Sequence, residues 1–166
     1  MTCSCKLRAL EPEDLELVYH IENDAKLWPW SATNVPISRY TVRQYLEAQK
    51  GNIYEDGELR LAIEYEGKAV GIVDLTNFSP QHLRAEVGLV VLSEYHHKGI
   101  GCETLRLLHD YASQHLRMRS LYAFIAKDNL PAQALLRSLG YIERAHLNRW
   151  IRGEGEAVLY QILLDR

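Results

Sequence analysis

The residues best suited to chemistry form one short run, His96-His97-Lys98-Gly99-Ile100-Gly101, between an apolar stretch, Ala85 to Leu92, and a long amphipathic one, Ile100 to Leu116. Where a chain leaves a strand and enters a helix through glycines, backbone N–H groups without helical partners converge and the helix dipole adds partial positive charge. Such a junction holds an anion, and phosphate is the natural one. Cys102 follows in the first turn, where a thiol's pKa can fall enough for nucleophilic work. The position also suits a small residue beneath a bound phosphate, and that structural role is the expected one. The seven histidines contain no HExxH spacing, and consecutive His96 and His97 have diverging side chains, so no metal site is expected.

The elements that must position this junction follow from periodicity. A short strand is predicted near Lys6 to Leu10, and Glu11-Pro12-Glu13-Asp14 opens a helix to about Asn23. Trp28-Pro29-Trp30-Ser31 and onward to Pro36 shows no period, and helix resumes from Ser38 as N-cap to Gln49. Leu59, Leu61, Ile63 and Tyr65 then alternate, Glu66-Gly67-Lys68 turns, and Ala69 to Asn77 pairs back as a hairpin. After a loop at Ser79-Pro80-Gln81-His82 come the strand Ala85 to Leu92, the glycine junction and a helix striped by Leu105, Leu108, Ala112 and Leu116. Leu121 to Ala126 is apolar on both faces, as a central strand covered by helices on both sides would be. Pro131 to Leu139 reads as a helix stopped at Gly140, and strands Tyr141 to Ile151 and Glu156 to Leu164 close the chain around Arg152-Gly153-Glu154-Gly155. The order βααβββαβαββ, without repeats or linkers, predicts one domain over residues 1–166, a mixed sheet with helices on both faces.

Composition narrows the function classes. At 166 residues, 47% apolar and 25% charged, the chain has the make-up of an ordinary globular protein with a full core. A net charge of −3 argues against a nucleic-acid binder, and Arg117 to Arg119 reads as a helix end with solvated cations. Three cysteines make no disulfide framework, and Cys3 and Cys5 sit at a terminus. With no signal-peptide core and no run of about 18 apolar residues, no membrane partner is expected and the cytoplasm is the expected compartment.

The glycine run and a second segment, Asp128-Asn129-Leu130-Pro131-Ala132 followed by Leu139-Gly140-Tyr141, together resemble the GCN5-related N-acetyltransferases, nearest to their ribosomal-protein and spermidine branch. The resemblance covers nearly the whole chain. It implies an α+β fold: a mixed, mostly antiparallel twisted sheet of about seven strands flanked by about four helices. The family's phosphate signature begins with glutamine or arginine, and here that place is His96. The resemblance implies that acetyl coenzyme A (acetyl-CoA) lies along Leu89, Val90 and Val91. Its pyrophosphate falls on His96, His97, Lys98, Gly99, Ile100 and Gly101, with Asn129 and Leu136 lining the rest.

The implied reaction is direct acetyl transfer to an amine in a ternary complex. An alkyl ammonium with a pKa near 10.4 must lose a proton first. Glu86, where relatives place a glutamate, is the candidate base; the alternative is a strand-edge carboxylate paired with Arg84 or a lysine. Relatives protonate the leaving thiolate from a tyrosine at the place of Leu136, so Tyr95, Tyr111, Tyr141 or solvent must serve here. The first two helices and their loop, with Glu22, Asp24, Trp28, Trp30 and Tyr40, are expected to bind the acceptor, either a polyamine or other small amine or a peptide N-terminus. Glu55, Asp56 and Glu58 read as a solvated turn. The alternative on the same fold is a regulatory module that binds acyl-CoA with little turnover. Tyr141 to Leu164, read as edge strands, allow a homodimer.

Overall fold

The computed structural model describes residues 4–31 and 33–165; Cys3 lies outside the described residues. Among the described residues seven strands form one sheet: β1 (Cys5–Ala9), β2 (Leu59–Tyr65), β3 (Lys68–Ser79), β4 (Arg84–Val91), β5 (Ser120–Ala126), β6 (Ile142–Ile151) and β7 (Gly155–Leu163). Their spatial order is β1-β2-β3-β4-β5-β7-β6. All neighbours are antiparallel except β4 and β5. The β2–β3 hairpin turns through Glu66 and Gly67, at φ 50° and 75°, the double positive φ that matches the twist of the paired strands.

Two helical layers cover the sheet. On one face α1 (Leu15–Asn23) and α2 (Arg39–Ala48) enclose a small core of Val18, Ile21, Val42 and Ile72. On the other, α4 (Ile100–Gln114) and α5 (Leu130–Ser138) bury the main core, in which Leu75, Leu105, Leu108, Leu121 and Tyr160 are almost fully enclosed. The approach to α1 is held by Asp14, whose carboxylate accepts the Glu11 backbone N–H at 2.8 Å and the Arg8 guanidinium at 2.7 Å. Burial alone would raise the Asp14 pKa, but the Arg8 and backbone hydrogen bonds outweigh it and hold the group below its ordinary value.

The parallel pair β4–β5 is short. Only Arg84, Ala85 and Glu86 find partners, Ser120, Leu121 and Tyr122, and beyond them the strands part. The edge of β4 from Val87 to Val91 that would face β5 is therefore open, with α4 and α5 starting on either side of the gap. Parallel strands require a crossover, here α4, and the glycine junction that begins it is thereby placed at the mouth of the split.

The structure departs from the sequence reading at several places. One turn of helix, α3 (Ile53–Asp56), stands where a solvated turn was expected; Asn52 caps it through the Tyr54 N–H at 3.0 Å and Gly57, at φ 71°, ends it. β5 is internal but not helix-covered on both faces: Leu121 and Ala123 are buried towards α4 and α5, whereas Tyr122 and Phe124 line an open cavity. β7 is also internal, so of the last two strands only β6 is an edge.

Gly71 is the tightest point of the sheet. A Cβ there would stand 2.3 Å from the Val90 carbonyl oxygen and 3.1 Å from Ile63 Cδ1, and backbone cannot move aside as a side chain can. Gly71→Ala should therefore cost about 3 kcal/mol, the upper part of the usual overpacking range, read as a lowered urea midpoint with an unchanged slope.

Candidate active site

The split between β4 and β5 forms a groove of about 550 Å³, floored by Leu89, Val91, Ala123 and Ile125 and walled by Ala132, Leu135 and Leu136 of α5. At one end lies the glycine junction. The helix cannot pair the N–H groups of Ile100, Gly101 and Cys102, since its first internal bond runs from Glu103 N–H to the Gly99 carbonyl at 3.1 Å. Gly99 caps α4 at φ 77°, where a side chain is strained, and a Cβ built on it meets nothing within 4 Å, so it borders open space. Gly101 answers a different need: a Cβ there would press to 3.3 Å from Leu135 and 3.4 Å from Leu89 across the groove.

The two histidines divide the work of the loop. His96 Nε2 donates to the Val91 carbonyl at 2.7 Å and so ties the loop to the end of β4, while His97 takes a positive φ of 62° to turn the chain. Their rings stand perpendicular. Lys98 departs from the expected phosphate contact: its ammonium lies over the Tyr95 ring, 5.2 Å from the centroid, and it does not line the groove. Val90 departs too. Alternation turns its side chain to the α1–α2 core, leaving only its backbone within reach of the split. Asn129 caps α5 through the Ala132 N–H at 3.4 Å and lines the groove beside it.

At the deep end the groove meets a second cavity of about 1040 Å³ on the opposite face, and Trp30, Glu86, Phe124 and Ile151 line both. Glu86 accepts the Asn77 side-chain amide at 2.8 Å and has no ion pair with Arg84 or a lysine among the described residues. Asn77 was not singled out in the sequence. It sits at φ 49° in the irregular stretch of β3 between Thr76 and Ser79, and an Asn near the end of a strand before a Ser-Pro turn was the available signal. Tyr122, opposite Glu86 in register, has its phenol pKa raised by burial and by the Glu86 charge, and so stays protonated.

The second cavity is walled by Trp28, Trp30, Phe124 and Trp150, the last two rings 5.3 Å apart. Glu22 does not line it. Its carboxylate takes the Arg60 guanidinium at 2.9 Å, Arg60 also holds Asp74 at 2.8 Å, and the Glu22 carbonyl receives the Trp28 indole N–H at 2.9 Å. Burial raises the Asp74 pKa against the opposing pull of Arg60. Asp24, Tyr40, Glu55, Asp56 and Glu58 also lie outside both cavities; Glu55 pairs with Lys50 at 2.9 Å and Glu58 accepts the Tyr45 hydroxyl at 3.3 Å.

Of the three tyrosines considered as proton donors, Tyr141 is buried with its hydroxyl 2.9 Å from His109 Nε2, and burial raises its pKa. Tyr111 packs beside His115 away from the groove, and Tyr95 lines its glycine-junction end. Leu136, 4% exposed, lines the groove and has no proton to give.

Residues 5–142 match the Acetyltransferase (GNAT) domain family. The chain is 30% identical to the spermidine N(1)-acetyltransferase of Escherichia coli over 145 residues, 83% of this chain and 73% of that protein. It is 28% identical to the putative ribosomal N-acetyltransferase YdaF of Bacillus subtilis over 167 residues, 96% and 91% of the two chains. In fold it is similar to the spermidine N-acetyltransferase of Vibrio cholerae crystallised with CoA and spermine, with a TM-score of 0.86, 23% identity, and 96% and 95% of the two chains covered.

If the junction is the pyrophosphate seat, a side chain on Gly99 should fill it. Gly99→Trp should weaken CoA binding about 10- to 100-fold by calorimetry, whereas Gly99→Asn, which tolerates positive φ, should stay within about threefold. Equal losses in both variants would point to backbone strain instead.

Proposed function

We propose, from the premise that this chain belongs to the GNAT acetyltransferase family, that its acetyl-CoA-dependent transfer runs by direct attack of an amine within a ternary complex, with Glu86 as the base. The observation that carries this reading is that one carboxylate borders both cavities, so a group in either one reaches it. No enzyme nucleophile is then required, and Cys102, in the first turn of α4 at the phosphate end, keeps a structural role.

Acetyl-CoA, when bound, supplies a thioester carbonyl open to attack. This chain's residues do the rest. The free N–H groups at the start of α4 hold the pyrophosphate, the unpaired edge of β4 offers backbone partners to an extended amide chain, and Leu89, Val91, Leu135 and Leu136 exclude water around it. The Asn129 side chain, with its oxygen on the helix cap, leaves its amide N–H groups for a cofactor oxygen. Asn77 donates to Glu86 Oε2 and so orients the carboxylate, leaving Oε1 to accept a proton from the ammonium, directly or through one water. Leu136 donates nothing, so the leaving thiolate, whose thiol pKa is near 8.5, takes its proton from solvent.

Two measurements test this. Glu86→Gln should lower kcat by about 10²- to 10⁴-fold in a thiol-release assay while CoA affinity holds; retained turnover would remove Glu86 as base. CoA bound with no turnover by the unaltered protein on any polyamine, peptide or aminoglycoside would instead indicate a binding module. Because no phenol donates to the thiolate, kcat should rise with pH to a plateau without falling before about pH 10; a descending limb below that would reveal an acid.

A further inference from the structure

The cavity opposite the CoA groove carries the wrong charge for a polycation. Among the described residues Arg84, Arg144 and Arg152 line it against a single carboxylate, Glu86, a formal balance of +2 in a chain whose net charge is −3. None of the three arginines has an ion-pair partner among the described residues; Arg144 Nε donates to Gln161 Oε1 at 3.2 Å, and Arg84 lies against the Tyr122 hydroxyl. The acids that would have attracted a polyamine are elsewhere, with Glu22 bound to Arg60 and Glu55 to Lys50.

We infer that the acceptor is an amine whose own molecule carries an anion, a carboxylate in peptide-like reach of the amino group. The inference rests on the amine-transferase reading and names its substrate class. Register sets the reach. Arg84 lies two residues from Glu86 on the same face of β4, a separation of about 7 Å. Glu86, Tyr122 and Gln161 form a row across β4, β5 and β7; Ile142 of β6 continues it, and Arg144, two residues further along, reaches back to Gln161, so its Cα stands about 15 Å from that of Glu86 at the usual strand spacing. Both side chains line the cavity, so an anion on the Arg144 guanidinium leaves the amine at Glu86 nearer to it than the backbone separation, and the Phe124 and Trp150 rings offer a stacking wall for an apolar side chain. The guanidinium groups also disfavour the ammonium form of the acceptor, which eases the deprotonation that attack requires.

The test compares phenylalanyl-glutamate, the same dipeptide with both carboxylates amidated, and spermidine in the thiol-release assay, with binding to the CoA-loaded protein followed by calorimetry. The free acid should be preferred over the amide by about 10- to 100-fold, the effect of one or two charge-assisted hydrogen bonds, and the difference should lie in KM rather than kcat. Arg144→Ala and Arg84→Ala should each reduce that acid-over-amide ratio, and Arg144→Glu should move the preference towards spermidine. Spermidine turned over as well as or better than the free acid, or a ratio unmoved in both alanine variants, overturns the inference while leaving the transferase reading intact. If neither dipeptide nor spermidine turns over, the calorimetric acid-over-amide ratio decides the inference, and the transferase reading fails separately.

Discussion

The site depends on the failure of two parallel strands to stay together. β4 and β5 pair through three residues and then separate, which leaves backbone groups of β4 without a sheet partner in the middle of an otherwise continuous sheet. Buried unpaired backbone is expensive, so this edge is tolerable only if water or a ligand completes it. The same divergence makes room for the groove, exposes the first turn of α4 and brings Glu86 to the last paired position, where it borders both faces of the sheet. The candidate cofactor groove, its junction with the second cavity and the candidate base are therefore consequences of one interruption in a hydrogen-bond ladder.

The remaining architecture serves to hold that interruption still. Gly71 lets β3 and β4 approach closely, and the irregularity after Thr76 delivers Asn77 to Glu86. On the side of the second cavity, Arg60 ties Glu22 of α1 to Asp74 of β3, and the Glu22 carbonyl anchors the Trp28 indole. Such a half-buried charge cluster adds little net stability, because desolvation offsets much of the attraction. Its effect is positional: the aromatic loop that walls the second cavity is fixed by α1, and α1 is fixed to the sheet.

What the sequence made legible was whatever depends on local periodicity or on backbone geometry near one residue. Strand alternation, the Glu66-Gly67 turn and the Ser38 N-cap are all of this kind, and the element order followed from such signals. Strand Ser120–Ala126 shows the limit. Its composition looked helix-covered on both sides, but whether Tyr122 and Phe124 meet a helix or a cavity depends on how β4 diverges, which no local pattern records. Glu22 shows another: an acid on the right helix looked suited to a cation, and the cation it meets is Arg60, distant in sequence. The side of the sheet taken by Val90 was available from alternation with Leu89 and Val91 and is the part of the site that period-two reasoning resolves.

The His96 latch also assigns the two nitrogens of its own ring. A carbonyl oxygen only accepts, so the ring nitrogen facing Val91 must carry a hydrogen. Nε2 is thus committed to the strand, and Nδ1 is the ring nitrogen that takes no part in the latch. The loop is therefore closed onto β4 by a side chain already engaged with backbone, so the turn meets an anion with its own N–H groups rather than with the imidazole Nε2.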